Sequence, residues 1–336
     1  LTIQAVISGL MTLLAGLLCA RLAGPVAGII ATFILATHPD FIFHSAYLMT
    51  ENNYLFILVL FLTVLIRAVD KSSLPLTALA AFCLGCLHLQ RINAAPAGIV
   101  LAVAWLIYSR GRAWKHAALL GIVPFLVLVP WLMRNLAVYN EPIWVNSNAG
   151  VHLWLANHPG LDAAATPYIE DQRSALIPEI EARLHDGNGR LTVTYYEYSR
   201  IYEAKMWEYA RAQPMHFVRN LVIKFFNQFT KVQTGPRIAW LRWNSEENYT
   251  LIQRTVLVLG LIGLAAFVSL NRRVSGFAIV IMFLVFSGTG SISILSMDGR
   301  YAVHLKLFLV LFIALGTGSI VRWLSARRDR VPLNPS

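Results

Sequence analysis

The segment His38-Pro-Asp-Phe-Ile-Phe-His-Ser-Ala-Tyr-Leu-Met-Thr-Glu51-Asn-Asn-Tyr-Leu-Phe56 lies between two hydrophobic stretches and contains two acids, Asp40 and Glu51. A carboxylate at the edge of hydrocarbon is costly unless it is paired, hydrated or used, so it marks a functional site by default. The alternative is that both acids lie in a wet loop where the chain leaves the bilayer. The functional interpretation is preferred for Glu51, and both stay open for Asp40.

The composition of the 336-residue chain is that of a membrane protein. It is 57% hydrophobic and 13% charged, whereas about a quarter of the residues of a soluble domain are charged. Cys83 and Cys86 have the spacing of a redox or zinc pair, but they lie in an apolar run with no second pair. Together with Cys19 they are better interpreted as small packing residues, so no disulfide framework is predicted.

Apolar stretches that could span the bilayer follow one another along the chain. A span needs roughly 20 apolar residues, and the second, third and fifth stretches are shorter than that. The sequence therefore predicts an all-α polytopic membrane protein with about nine transmembrane helices. The stretches are 2–20, 25–38, 53–68, 74–90, 94–108, 117–137, 251–270, 275–296 and 301–322.

The basic residues predict the orientation of these spans. If Leu1 is outside and the spans alternate, the short outer loops hold only Arg91 and Arg300, whereas the inner loops are strongly basic. The positive-inside rule then places Asp40, Glu51 and segment 139–250 on the extracytoplasmic face. This topology accounts for most of the net charge of +11 and removes the case for nucleic acid. The inner basic residues are Arg21, Arg67, Lys71, Arg110, Arg112, Lys115, Arg272, Arg273, Arg322, Arg327, Arg328 and Arg330.

Four regions are predicted. They are a helix bundle at 1–138 with an outer juxtamembrane segment at 39–52, an extracytoplasmic domain at 139–250, C-terminal transmembrane helices at 251–322, and a cytoplasmic tail at 323–336, disordered from Ala326. The extracytoplasmic domain contains twelve of the 17 acidic residues.

Hydrophobic spacing predicts helices in the extracytoplasmic domain at about 168–185, 192–212 and 215–232. Pro214 is suited to the first turn of the last of these. That helix combines an apolar face with cations, including Lys224. It could lie in the membrane interface or pack on its own domain, and both interpretations remain open.

Charged residues of both signs are predicted at the outer face. Asp298 lies in the hairpin between the last two spans, and Arg91, Arg134 and Arg300 lie at outer ends of spans. Arginine suits phosphate because its planar fork donates two parallel hydrogen bonds. The alternative is that each arginine anchors the chain among lipid headgroups. Lys224 is a further candidate for binding the phosphate of a donor.

A divalent metal is the less favoured interpretation of the acids and histidines. His38, Asp40, His44 and Glu51 could supply nitrogen and oxygen ligands. Their spacing matches no dense ligand motif, and a polar site lined by histidine is preferred. The chain has no Walker loop and no Gly-x-Ser-x-Gly, so a nucleotide is not an obvious substrate.

Several motifs occur in a distinctive order. Thr50-Glu51 follows an apolar segment ending in proline, and Leu89-Gln-Arg91 stands at the outer end of a span. Pro130-Trp-Leu-Met-Arg134-Asn135 precedes a run of short motifs, and Asp298-Gly-Arg300-Tyr301 precedes the last span. The run consists of Ser147-Asn-Ala-Gly150, Leu153-Trp154 and Asn157-His-Pro159.

From about residue 1 to 322 this pattern resembles the bacterial branch of the protein O-mannosyltransferase-like and aminoarabinose-transferase-like glycosyltransferases, which have the GT-C membrane fold. Members transfer a sugar from a polyprenyl-phosphate carrier to an acceptor on the outer face of the membrane. The resemblance implies a carboxylate as general base and cations that hold the lipid phosphate. It also implies the bacterial cytoplasmic (inner) membrane as location, with the bilayer, the lipid-linked sugar and an acceptor of unknown kind as partners.

The resemblance assigns expected roles to residues. Glu51 corresponds to the second acidic position of the family, which in some relatives binds a metal or orients the site, and Asp40 is the other candidate catalytic acid. Arg134 and Arg300 are expected at phosphate or structural positions. Further candidates are Asp298, Tyr301, Asn135 and His44.

Two departures from the family pattern limit these expectations. The family's first catalytic acid lies in an outer loop that would precede Leu1, together with at least one earlier span, so this stretch of chain by itself is expected to be inactive. His304 stands where the family usually has proline. The alternatives are a transporter or lipid flippase, for which no paired broken helices are evident, and a non-catalytic relative that only binds the lipid carrier.

Overall fold

The computed structural model describes residues 2–46, 50–91, 94–144, 147–160, 176–230, 246–271, 274–293 and 303–328. Within these ranges the chain forms helices and no strand. The helices are α1 (Thr2–Ala23), α2 (Pro25–Thr37), α3 (Pro39–Ala46), α4 (Thr50–Lys71), α5 (Leu74–Gln90), α6 (Ala95–Tyr108), α7 (Trp114–Tyr139), α8 (Ala149–Asn157), α9 (Pro178–Leu184), α10 (Tyr195–Ala212), α11 (Pro214–Thr230), α12 (Glu246–Leu270), α13 (Val274–Ser293) and α14 (Val303–Arg328).

The helices confirm an all-α integral membrane protein. In the described ranges, α1, α4, α7, α14 and residues Leu251–Leu270 of α12 are long and apolar enough to cross a bilayer. The α2–α3 pair, bent by 58°, would make a sixth span if it counts as one. Each of the nine predicted spans coincides with a helix, but α5, α6 and the apolar part of α13 are short. The count of nine spans therefore stays a prediction.

Helix α14 is the centre of the bundle. It packs against α12, α2, α1, α13 and α4, and its first four turns are buried almost all round, as expected of a core helix. Small residues let α12 approach it closely. A Cβ added to Gly316 would lie 2.4 Å from the Cα of Gly263, so neither position has room for a larger side chain.

The charged residues separate towards two ends of the bundle. At one end, Arg21 Nη2 donates to Asp70 Oδ2 at 2.8 Å, and Arg322 Nη1 donates to the carbonyl oxygen of Leu22 at 2.9 Å. Asp40 and Glu51 lie in the first turns of α3 and α4. If the spans alternate in direction, these turns are at the end of the bundle opposite to Arg21 and Arg322. This arrangement agrees with the predicted alternation, whereas the compartment that each end faces stays a prediction.

The 139–250 segment has a small core of its own. Helices α8 and α10 pack together through residues that include Trp154 and Tyr202, and the backbone N–H of Gly150 donates to Ser199 Oγ at 2.8 Å. Tyr198 and Tyr202 both donate to Glu181 Oε1, at 2.9 and 2.6 Å, which ties α9 to α10. These contacts support a separately packed unit beside the bundle.

Several predicted boundaries were wrong. Predicted helix 168–185 is wrong at Leu176 and Ile177, which are described and not helical, because α9 begins only at Pro178; its part before residue 176 lies outside the described ranges. Predicted disorder from Ala326 is wrong for its first residues, since α14 continues to Arg328. There the guanidinium of Arg327 lies 4.0 Å from the ring centroid of Trp323, a contact that favours the last turn.

Candidate functional site

Asp40 is not in a wet loop; it is buried, with 4% of its surface exposed. The chain bends at His38, and Pro39 opens α3, as suits a residue with no backbone N–H. Asp40 stands in the first turn of α3, where the helix dipole favours a negative charge. Its Oδ2 accepts hydrogen bonds from Lys306 Nζ at 2.5 Å and from Gln253 Nε2 at 3.0 Å. Three helices, α3, α12 and α14, therefore converge on one carboxylate.

Sequence reasoning missed both partners of Asp40. Lys306 is a cation within the apolar run 301–322, and a charge in such a position requires an internal partner. That signal was available in the sequence. Gln253 gives a weaker signal, because an amide near the end of a span needs no counter-ion.

Glu51 is also buried and lies in the first turn of α4. Arg91, which ends α5 in an extended conformation, donates from Nη2 to Glu51 Oε1 at 2.7 Å. The guanidinium of Arg91 also lies 5.4 Å from the ring centroid of Tyr54, within cation–π range. Arg91 is therefore not simply a headgroup anchor, since its guanidinium is turned into the protein against a carboxylate.

His44 links the two ion pairs. It stands one turn after Asp40 on α3, so both side chains lie on one face of the helix. The charges of Glu51 and Asp40, and those of Lys306 and Arg91, all act on its ring. Its Nδ1 is buried and has no hydrogen-bond partner in the part of the chain that the structure describes. We call these residues the charge cluster: Asp40, His44, Glu51, Arg91, Gln253 and Lys306.

Aromatic rings close the inner side of the charge cluster. Tyr54 and His304 are both fully buried, and their ring centroids are 6.0 Å apart. Phe286 packs against both rings, with its centroid 5.6 Å from that of His304 and 6.4 Å from that of Tyr54. His304, which replaces the proline expected from the family resemblance, thus fills a core position beneath the cluster. The Tyr54 hydroxyl is buried and forms no hydrogen bond with the described residues, which is unusual for a buried polar group.

Arg134 and Asn135 lie at the end of α7 and have different roles. Asn135 is buried and donates from Nδ2 to the carbonyl oxygen of Ile143 at 2.8 Å, which fixes the chain after the helix. Arg134 is exposed between the rings of Trp131 and Tyr139 and donates to Asn135 Oδ1 at 2.9 Å. Arg134 has no contact with the charge cluster within the described residues. An exposed arginine between aromatic rings is typical of a headgroup position.

Lys224 belongs to the 139–250 segment and not to the charge cluster. Its amine is buried on α11 and donates to the carbonyl oxygen of Ala156 at 3.1 Å and to Asn157 Oδ1 at 2.5 Å. Burial lowers the pKa of Lys224 to about 7. The contact fastens α11 to the end of α8, so a structural role accounts for this lysine without a donor phosphate.

The arrangement does not fit a divalent metal. No group of three His, Cys, Asp or Glu side chains converges within the described ranges. The two candidate carboxylates are instead each paired with a cation, Glu51 with Arg91 and Asp40 with Lys306. His38 accepts a hydrogen bond at Nδ1 from the backbone N–H of Asp40 at 3.3 Å, which occupies one of its ring nitrogens. The predicted candidates Asp298, Arg300 and Tyr301 lie outside the residues that the structure describes.

The fold and site define a class: an all-α integral membrane protein with a buried cluster of two ion pairs at one end of its helix bundle. Comparison with protein-family models gives no match, and comparison with curated proteins gives none either. The family resemblance of the motifs therefore enters only as support for a proposal.

Proposed function

We propose that the protein is a membrane glycosyltransferase of the GT-C type that transfers a sugar from a polyprenyl-phosphate donor to an acceptor at the extracytoplasmic face of the membrane. The observation that carries this proposal is the charge cluster. Two carboxylates and two cations are costly to remove from water. In this cluster, carboxylates that can accept a proton lie beside cations that can bind a phosphate, at one end of the bundle.

The proposed roles follow from charge. Arg91 and Lys306 are suited to receive the lipid phosphate, which competes with the carboxylates for the same cations. Glu51 is the preferred carboxylate of the charge cluster to orient the donor or the acceptor group, whose proton passes to the first catalytic acid that the resemblance implies. The acceptor atom bonds to the anomeric carbon, the bond from that carbon to the phosphate oxygen breaks, and the polyprenyl phosphate leaves with its negative charge held by the cations.

A transporter or lipid flippase is the second candidate, and one observation favours it. Helices α2 and α3 are bent by 58° at His38, and Asp40 stands just after the break. Broken helices that present a charged residue are frequent at the binding sites of transporters. A relative that binds the lipid carrier without transferring a sugar would have the same charge cluster and no turnover.

The first test is sugar transfer in membranes that contain the full-length gene product. Labelled polyprenyl-phosphate hexoses and pentoses would be supplied, and Glu51→Gln compared with Asp70→Asn, which alters an ion pair at the other end of the bundle. We expect Glu51→Gln to reduce the rate by about 10²-fold with unchanged expression, and Asp70→Asn to leave it nearly unchanged.

Three results would separate the candidates. Normal turnover of Glu51→Gln would remove Glu51 from the mechanism. Absence of transfer with every sugar, together with movement of a labelled lipid across proteoliposomes, would favour the flippase. Saturable binding of polyprenyl phosphate without transfer or movement would favour the carrier-binding relative.

A further inference from the structure

Helix α11 exposes a continuous apolar stripe. Met215, Val218, Val222 and Phe226 are 80%, 50%, 49% and 60% exposed, respectively. At 3.6 residues per turn, these four side chains fall within an arc of about 80° on one side of the helix. Such a stripe has no counterpart on an ordinary water-facing helix, where the exposed side is polar.

Two polar residues are buried on the opposite side of α11. Asn220 and Lys224 stand one turn apart on that side, and both are almost completely inaccessible. The only cation among the exposed residues near the stripe, within the described part of α11, is Arg219. Four large apolar side chains therefore face outward while Asn220 and Lys224 face inward, an arrangement expected when the surroundings are apolar.

The rotation of α11 is fixed at two points, so the outward stripe is not an accident of a loosely held helix. Near its start, His216 Nδ1 forms a hydrogen bond with the Tyr209 hydroxyl, and Phe217 packs edge-on against the Tyr209 ring at 6.2 Å. Two turns later, Lys224 reaches the end of α8. These contacts hold the polar side inward along the helix.

Helix α11 adjoins two helices whose exposed side chains are largely apolar. Helix α11 contacts α12 and α13, and both of these apolar helices leave large hydrophobic side chains exposed, including Leu251 of α12 and Leu284 of α13. The 17 residues of α11 are not among the candidate spans. Contact with the bundle brings the helix to the edge of the hydrocarbon without requiring it to cross.

We propose that α11 lies along the bilayer surface, with its apolar stripe in the acyl-chain region of phospholipids and Arg219 at the level of the lipid phosphates. The occupant of this face is lipid, because α11 packs beside α12 and α13, whose exposed surfaces include large apolar side chains. The flanking cation is also suited to an anionic headgroup. The 139–250 segment is thereby tied to the membrane through a helix of its own.

The test uses spin labels in nanodiscs. Single cysteines would replace Val218, Val222 or Phe226 in a background lacking Cys86, the native cysteine that is only partly buried, and Arg211→Cys on the exposed end of α10 is the matched control. Power saturation compares collision with oxygen, which concentrates in acyl chains, and with a water-soluble nickel chelate. The gel-filtration profile of each variant verifies folding.

We expect the three stripe positions to be accessible to oxygen and protected from the chelate by several-fold relative to Arg211→Cys. Access of the chelate to all three positions, equal to that at the control, would overturn the proposal. Contact with a second copy would instead protect the stripe from both reagents in proteoliposomes. It would also give dipolar broadening that disappears in nanodiscs holding one copy, and this result would overturn the proposal as well.

Discussion

Replacement of Lys306 by methionine tests the ion pair at the centre of the proposed site. The pair joins Lys306 Nζ to Asp40 Oδ2 at 2.5 Å, and the two side chains are only 12% and 5% exposed, so water screens the pair little. Removal of one partner from a buried ion pair costs about 3–5 kcal/mol. The hydrogen bond from Gln253 remains, so we expect a loss of about 3 kcal/mol in the free energy of unfolding, at the lower end of this range.

The assay is equilibrium unfolding by sodium dodecyl sulfate in mixed micelles. The single variants Lys306→Met and Asp40→Asn would be combined with the double variant, which leaves no unpaired charge. The double variant should lose less unfolding free energy than the two single variants lose together. We expect the difference to be at least about 1 kcal/mol. Lys205→Met is the control: Lys205 and Glu208 are 2.7 Å apart but are exposed on α10, and such surface pairs contribute about 0–1 kcal/mol.

A loss of stability in Lys306→Met no larger than that in Lys205→Met would refute a stabilising buried pair. Strict additivity of the two changes at the buried pair would refute it as well, because independent residues share no interaction energy.

Three further predictions address packing, titration and topology. Gly316→Leu should prevent the close approach of α14 to Gly263 and lower the unfolding free energy by at least about 1–3 kcal/mol, measured in the same micelles, whereas an unchanged value would contradict the described contact. Stability should rise as the pH increases from about 7 towards 10.5, because the unfolded chain keeps the proton of Lys224 that the native chain has released. Lys224→Met should remove that part of the slope, and an identical pH profile for the variant would exclude a buried amine with a lowered pKa. A cysteine at Asn188, in the exposed turn after α9, should react with a membrane-impermeant maleimide in intact cells, and reaction only after permeabilisation would reverse the topology.

Hydrophobic patterning predicted the helices well, because the bilayer requires each span to satisfy its own backbone. Each predicted apolar stretch coincides with a helix, and Pro214 opens α11 as expected. Asp40 and Glu51 were correctly selected as unusual acids from their place between apolar stretches. Their burial was not decided by the sequence, since a carboxylate at the end of a span can face water or a partner with equal ease.

The partners of these acids depend on tertiary packing. Gln253 and Lys306 are more than 200 residues from Asp40 in the chain, and only the way α12 and α14 pack beside α3 brings them together. Lys224 shows the same dependence. The sequence offered it as a candidate for binding a donor phosphate, and only the packing of α11 on α8 shows that its amine is turned inward against the carbonyl oxygens of Ala156 and Asn157. Periodicity gives the face of a helix but not the atom that its side chain meets.

The bend after α2 leaves this helix short, and short helices bear on the thickness of the surrounding membrane. Helix α2 has 13 residues and α6 has 14, so each is about 20 Å long at 1.5 Å per residue, against roughly 30 Å of hydrocarbon. A bilayer compensates for short helices by thinning around them. Thinning beside α2 would lower the headgroups and their water towards Asp40 and His44. A lipid phosphate could then meet the charge cluster with little of its acyl chain leaving the bilayer.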